Sequence, residues 1–248
     1  MLVDLVSLYC FLGHKNSAPL RVRQKSLHFL EAYELFLSKF CGQSPSILEI
    51  GCGYPASSSG LENDMGGSLQ LWHEYFGKGS RVCGIDIIDE CSIYAEPTKS
   101  ISVEIGSQDD PFFLQKVAQK HGPFDIVIDD GSHIDDHILK SFNELFPHVK
   151  QGGYYIVEDI NDHVKSGNSF KSKNRFLYRV LEMAERMQKY SVMTHLQAQS
   201  GLLDYAPEKL TPLDVTIDGV HIYRDLVIVE KRYREKSIQM PMPPHYHY

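Results

Sequence analysis

Two acidic clusters stand at the ends of apolar runs. One is Phe124-Asp-Ile-Val-Ile-Asp-Asp-Gly-Ser-His133, the other Gly152-Gly-Tyr-Tyr-Ile-Val-Glu-Asp159. Both runs are short, rich in β-branched residues and bounded by turn residues, which reads as buried parallel strands. In open α/β sheets ligands bind at the carboxyl ends of the strands. Asp129, Asp130, His133, Glu158 and Asp159 are therefore expected to converge at one sheet edge. Carboxylates crowded there repel one another, so the pattern calls for a cation. Oxygen ligands suit a hard ion such as Mg²⁺.

A second chemical feature lies upstream, in the strand-to-turn segment Ile47-Leu-Glu-Ile-Gly-Cys-Gly53. Glycines at such a turn let the backbone approach a ligand closely. Gly51, Gly53 and Ala56 satisfy the spacing of the dinucleotide fingerprint, whose acidic ribose partner lies about twenty residues further on. Here the acid that ends the next strand, Asp86, comes considerably later. Glu49, two residues before Gly51, is not required by a pyrophosphate site and suits a cationic ligand such as a sulfonium amino acid. The combination favours S-adenosylmethionine over NAD, against the plainer reading of Glu49 as a helix cap and Asp86 as a strand-end turn residue.

The elements that must position these residues follow from periodicity. Leu27, Leu30, Tyr33, Leu37 and Phe40 recur at helical spacing. Strands are expected at Ser46–Ile50, Arg81–Ile85, Ile101–Ile105, Phe124–Ile128 and Tyr154–Val157, with helices at Gly66–Phe76, from Pro111 to about Lys120 and, after the fourth strand, through Phe146. Beyond Asp159 come a polar stretch Asn161–Lys173, a helix Arg175–Tyr190 and a loop Ser200–Pro212. Two strands, Val215–Tyr223 and Leu226–Glu230, are joined by a tight turn at Arg224-Asp225. The expected fold is α/β: a doubly wound, mostly parallel seven-stranded sheet closed by a C-terminal antiparallel hairpin. Residues 1–45 form an N-terminal helical segment acting as a lid or an oligomer contact, 46–236 the main domain, and 237–248 a Pro-rich flexible tail.

Bulk properties narrow the partners. The 248 residues carry a net charge of −7, without the basic excess that neutralises nucleic-acid phosphates. The local run Lys231-Arg-Tyr-Arg-Glu-Lys236 reads as a solvated segment. Five cysteines show no metal-ligand spacing and are an odd number, which fits reduced thiols in a cytoplasmic protein. The apolar start Met1–Leu12 carries Asp4 and lacks a basic n-region, so it reads as a packing helix or subunit contact, leaving a homo-oligomer open. No stretch is long enough to span a membrane.

With these residues in view, the chain resembles class I S-adenosylmethionine-dependent methyltransferases. Among them it is most similar to the metal-dependent O-methyltransferases of macrolide-linked deoxysugars (the mycinamicin and tylosin group) and their rhamnosyl relatives. The matching segments include Ile47-Leu-Glu-Ile-Gly51, Gly66-Gly-Ser-Leu-Gln-Leu-Trp72, Gly84-Ile-Asp-Ile87 and Asp125–His133. Phe146–Gly153, Glu158-Asp159 and Val220–Lys231 match as well. The acid spacing is also similar to that of catechol O-methyltransferase. The resemblance implies metal ligands at Asp130, Glu158 and Asp159, with His133 as general base; strand alternation turns Asp129 to the opposite face or away, which ranks it below Asp130 as a ligand. It further implies cofactor contacts from Glu49, Gly51 and Gly53 around the methionine part, Asp86 on the ribose, Ser107 and Gln108 at the adenine, and Asp130. An imidazole, with an ordinary pKa of about 6.5, suits a base at neutral pH.

His137, four residues after His133, is expected as a helix-surface residue or as a partner orienting His133, and Asp135 and Asp136 as first-turn acids. The implied function is Mg²⁺-dependent O-methylation of a sugar, glycoside or other small natural-product hydroxyl. An NAD-dependent oxidoreductase and a non-catalytic cofactor-binding subunit are the alternatives.

Overall fold

The computed structural model describes residues 4–5, 7–8, 27–53, 67–160, 176–200 and 216–233, with side chains of the last helix through residue 188. The expected loops Tyr54–Asp64, Asn161–Lys173 and Ser200–Pro212 lie essentially outside the described residues, as do most of Met1–Leu12 and the tail.

The strands are β1 (Ser46–Ile50), β2 (Arg81–Asp86), β3 (Ile101–Ile105), β4 (Phe124–Asp129), β5 (Val149–Glu158), β6 (Ile217–Tyr223) and β7 (Leu226–Lys231). They form one seven-stranded sheet in the order β3-β2-β1-β4-β5-β7-β6. Neighbours from β3 to β5 pair in parallel, whereas β7 runs antiparallel to both β5 and β6. The helices are α1 (Leu27–Leu37), α2 (Gly67–Phe76), α3 (Pro111–His121), α4 (Asp135–Leu145) and α5 (Phe176–Ser200). This is the class I methyltransferase arrangement of a Rossmann-like sheet. The insertion of β7 between β5 and β6 distinguishes it from the dinucleotide-binding order, in which strand 6 follows strand 5 directly.

Local chemistry explains the element ends. Asp110 caps α3, its Oδ1 accepting from the N–H groups of Phe112 (2.9 Å) and Phe113 (3.3 Å), with Pro111 in the first turn. The β6–β7 hairpin turns at Arg224-Asp225, and Asp225 takes a left-handed conformation with φ 57°. Two elements outrun their sequence pattern. Strand β5 starts at Val149, which pairs with Phe124, although Lys150-Gln-Gly-Gly153 lacks an apolar alternation. Helix α5 runs on to Ser200, with the first glycine after it at Gly201.

Alternation along the strands sorts side chains between two cores. Ile47, Ile126, Ile128, Ile156 and Ile228 pack under α1 and α2, against Leu30, Tyr33, Leu69 and Trp72. Leu48, Val127, Tyr155, Val157 and Val229 pack on the other face with α3, α4 and α5. In that second core Phe142 stacks on Phe146 and meets the rings of Tyr155 and Phe176 edge-on.

Phe142→Ala is expected to destabilise the chain by about 3–5 kcal/mol through lost burial and a residual cavity. Phe112→Ala, at a side chain that is 77 % exposed, should change stability by less than about 0.5 kcal/mol. Urea denaturation of the two variants checks both.

Candidate active site

The carboxyl edge of the sheet is built around a contact between the ends of β1 and β4. Asp130 N donates to Ile50 O (3.0 Å), which lays the two strand-end turns against each other, and Gly51 N donates to Ile85 O of β2 (2.8 Å). Gly51 has φ +87°, and a Cβ there would sit 2.2 Å from the Asp130 carbonyl oxygen. Both the conformation and the approach require glycine. Asp86, ending β2, ties the same turn down: its Oδ2 accepts from Cys52 N (2.8 Å) and its Oδ1 from Ile88 N (3.0 Å). Gly53 also has a positive φ, 119°.

Period-two alternation separates the acids. Asp129, the last residue of β4, faces the α4 side and is 1 % exposed. It accepts from Gln108 Nε2 (3.0 Å), from Tyr155 Oη (3.1 Å) and from Ser141 Oγ. Burial raises its carboxyl above the ordinary range, against the downward pull of these hydrogen bonds and of the Gly131 N–H. Glu49 and Glu158 fall on the opposite face, under α1 and α2, and are buried. Glu49 Oε2 accepts from Ser68 Oγ in α2 (2.7 Å). Glu158 Oε1 accepts from the hydroxyl of Tyr33 in α1. Burial, and next the Glu158 carboxylate, hold the Tyr33 phenol well above its ordinary pKa, so it remains a donor.

Asp130 and Asp159 lie just past their strands and are only partly buried. Asp130, His133 and Asp159 bring ligand atoms within 4.8 Å of one another, the one such group of three among the described residues. His133 Nε2 is 3.3 Å from Asp130 Oδ1. His133 (φ 57°) and Asp159 (φ 49°) both take left-handed backbone conformations, strain that concentrates at functional sites. Glu158, expected from sequence among the ligands, is not in this group: the strand's alternation carries it to the α1 face, and Asp159 alone of the pair reaches Asp130 and His133.

Gln108, expected at the adenine, is almost fully buried and braces the loop. Its Oε1 accepts from Ser132 N (2.6 Å) while its Nε2 donates to Asp129. A Cβ on Gly131 would meet that Oε1 at 2.2 Å, so the loop closes onto Gln108. Ser107 Oγ accepts from Asp109 N (3.1 Å). His137 does not orient His133 by any described hydrogen bond; its Nδ1 meets Ser132 Oγ (3.0 Å) and its Nε2 lies 3.7 Å from Asp109. Asp135, beyond its place in the first turn of α4, accepts from Phe176 N (2.6 Å) and so caps α5. Sequence reasoning missed Tyr33, Ser68, Ser132 and Ser141. Only Tyr33 left a signal: a hydroxyl inside an apolar helical stripe must find a buried partner.

A cavity of about 620 Å³ opens over this edge. Gly51, Gly53 and Asp86 line one part and Asp130, His133 and Asp159 another, with Ser107 and Gln108 also exposed to it. The volume is in the range of small-molecule and cofactor sites.

No family model matches the chain. Comparison with characterised proteins gives 34% identity over 208 residues to 8-demethyl-8-(2-methoxy-α-L-rhamnosyl)-tetracenomycin-C 3'-O-methyltransferase of Streptomyces olivaceus, covering 82% of this chain and 49% of that protein. It gives 34% identity over 227 residues to demethylmacrocin O-methyltransferase of Streptomyces fradiae, covering 89% and 53%. The chain therefore spans about half the length of these relatives. Among solved structures, the MycE methyltransferase from the mycinamycin biosynthetic pathway, in complex with Mg, SAH and mycinamycin VI, superposes with a TM-score of 0.71 at 29% identity, over 98% of this chain and 57% of that one. The strand order and these similarities agree: the chain has the class I methyltransferase fold and is similar to O-methyltransferases of macrolide and tetracenomycin sugars.

Proposed function

We propose that this chain is an S-adenosylmethionine-dependent O-methyltransferase that requires Mg²⁺ or a similar hard divalent ion and methylates a hydroxyl of a glycoside or related small natural product. The observation that carries the reading is the shared cavity. The glycine turn with Asp86 and the Asp130–His133–Asp159 group open into the same space. The catalytic unit is 46–236, with residues 1–45 supplying α1 to its core.

The donor set fits the ion. Two partly exposed carboxylates with an imidazole in reach suit a cation that keeps several waters. Asp130 and Asp159 would hold it, with Glu158 as the neighbouring third carboxylate. When bound, the ion lowers the pKa of an acceptor hydroxyl, and S-adenosylmethionine supplies the methyl group as a sulfonium. Gly51 and Gly53 admit the cofactor's methionine part close to the backbone, and Glu49 adds negative charge beneath it. Asp86 faces the ribose. Ser107 and Gln108 border the adenine end, where Gln108 also holds the base loop.

His133 takes the proton that the hydroxyl gives up, at Nε2, the nitrogen facing Asp130. The nearby carboxylate stabilises the resulting imidazolium. The His133 backbone is left-handed (φ 57°). Holding both reactants over one rigid edge supplies much of the remaining rate gain. The oxidoreductase reading finds no support in the strand order or in the relatives.

Calorimetry should detect S-adenosylhomocysteine binding to the full chain and none of NAD; NAD binding alone would overturn the assignment. Labelled methyl groups should reach glycoside acceptors only with a divalent ion present, and undiminished transfer in excess EDTA would remove the ion from the reaction. His133→Ala should lower turnover by roughly 10²–10⁴-fold while S-adenosylhomocysteine affinity stays as in wild type. Gly51→Ala, by contrast, should weaken S-adenosylhomocysteine binding by about tenfold or more in the same calorimetric assay, because its Cβ displaces the Asp130 backbone.

A further inference from the structure

One side chain links the N-terminal helix to the acidic edge. Tyr33 is fully buried, its ring meeting Trp72 edge-on at 5.5 Å, and its hydroxyl donates to Glu158 Oε1 across 125 residues of sequence. Packing alone does not ask for the oxygen, since a phenylalanine would fill the same volume. The hydroxyl answers a carboxylate that is 2 % exposed. A buried carboxylate deprived of a donor bears a large desolvation cost and moves or protonates.

Glu158 is also where the geometry of the neighbouring acid is set. It is the last residue of β5 and pairs with Leu226 of β7. The next residue, Asp159, turns into the left-handed region and reaches Asp130 and His133. The direction of the Glu158 side chain and the turn that presents Asp159 are thus decided in two consecutive residues. A phenol hydroxyl satisfies the first without adding charge to a site that attracts a cation. Glu34, the next residue of α1, accepts from Tyr75 Oη of α2 (2.8 Å), so the helix is tied to α2 beside Tyr33.

We propose that Tyr33 is a positioning residue of the cation site: its hydroxyl fixes the buried Glu158 carboxylate and, through it, the Glu158–Asp159 corner against which the ion binds. The inference rests on the cation reading above and adds to it a residue contributed by the segment N-terminal to the first strand. Outer partners of metal-binding carboxylates typically contribute roughly 10–100-fold in metal affinity.

Mn²⁺ binding to the full chain, followed by electron paramagnetic resonance with S-adenosylhomocysteine saturating, tests it in a four-way comparison. Tyr33→Phe should weaken the Mn²⁺ Kd by about tenfold or more, leaving S-adenosylhomocysteine affinity unchanged. In a Glu158→Gln background the same substitution should add no further loss. Trp72→Phe loosens the same helix packing without touching a carboxylate, and should lower the melting temperature while keeping wild-type Mn²⁺ affinity. Wild-type Mn²⁺ affinity in Tyr33→Phe overturns the proposal alone. So does an equal loss in Trp72→Phe, or a full additive loss in the Glu158→Gln background, because packing then accounts for the effect. Failure of the unmodified chain to bind Mn²⁺ overturns the cation reading together with this inference.

Discussion

The site depends on the close approach of two strand ends, where the backbone of Gly51 leaves no room for a Cβ against the Asp130 carbonyl. β1 and β4 are adjacent parallel strands, so their carboxyl ends emerge side by side. The turn that would cradle a cofactor and the loop that carries Asp130 and His133 are consequently walls of one cavity. Neither can shift without the other. Gln108 extends the constraint to β3 by bonding Ser132 and Asp129 at once, and Asp86 extends it to β2 through Cys52. A methyl donor and a hydroxyl acceptor held over such an edge meet in a geometry set by four strands.

Each of the buried acids accepts from a hydroxyl. Glu49 receives a hydroxyl from Ser68, Glu158 one from Tyr33, and Asp129 those of Ser141 and Tyr155. Hydroxyl donors bond to carboxylates without bringing a compensating charge to the edge. The donors for the first two come from α2 and α1, on one face of the sheet. Those for Asp129 come from α4 and β5, on the other. The helical layers therefore do more than cover the sheet: each supplies the donors that keep a particular acid in place. α1, though N-terminal to the first strand, belongs to this scheme through its share of the core.

Much of this was legible in the sequence because the signals are local. The central strands are runs such as Ile47-Leu-Glu-Ile50 and Phe124–Ile128, whose apolar character and bounding glycines or aspartates need no distant partner to be read. The beginning of β5 was not legible: Lys150-Gln-Gly-Gly153 has little intrinsic strand character and fills the irregularity between the Val149–Phe124 and Tyr154–Ile126 pairs. Gln108 is expected as a ligand contact because the family resemblance implies one there. Its two hydrogen bonds to a loop more than twenty residues away belong to the tertiary fold.

The sequence alone determined which elements form, in what order, and which chemical groups stand at their ends: acids, an imidazole and a glycine turn at the carboxyl edge of a parallel sheet. Tertiary structure decided how those groups divide. Glu158 and Asp159 are neighbours with similar chemistry, yet the alternation of β5 turns one under α1 to Tyr33 and a left-handed residue swings the other to Asp130 and His133. The parity of a strand can be counted from sequence, but which face each parity meets, and which hydroxyl waits there, depends on helices packed from 125 residues away.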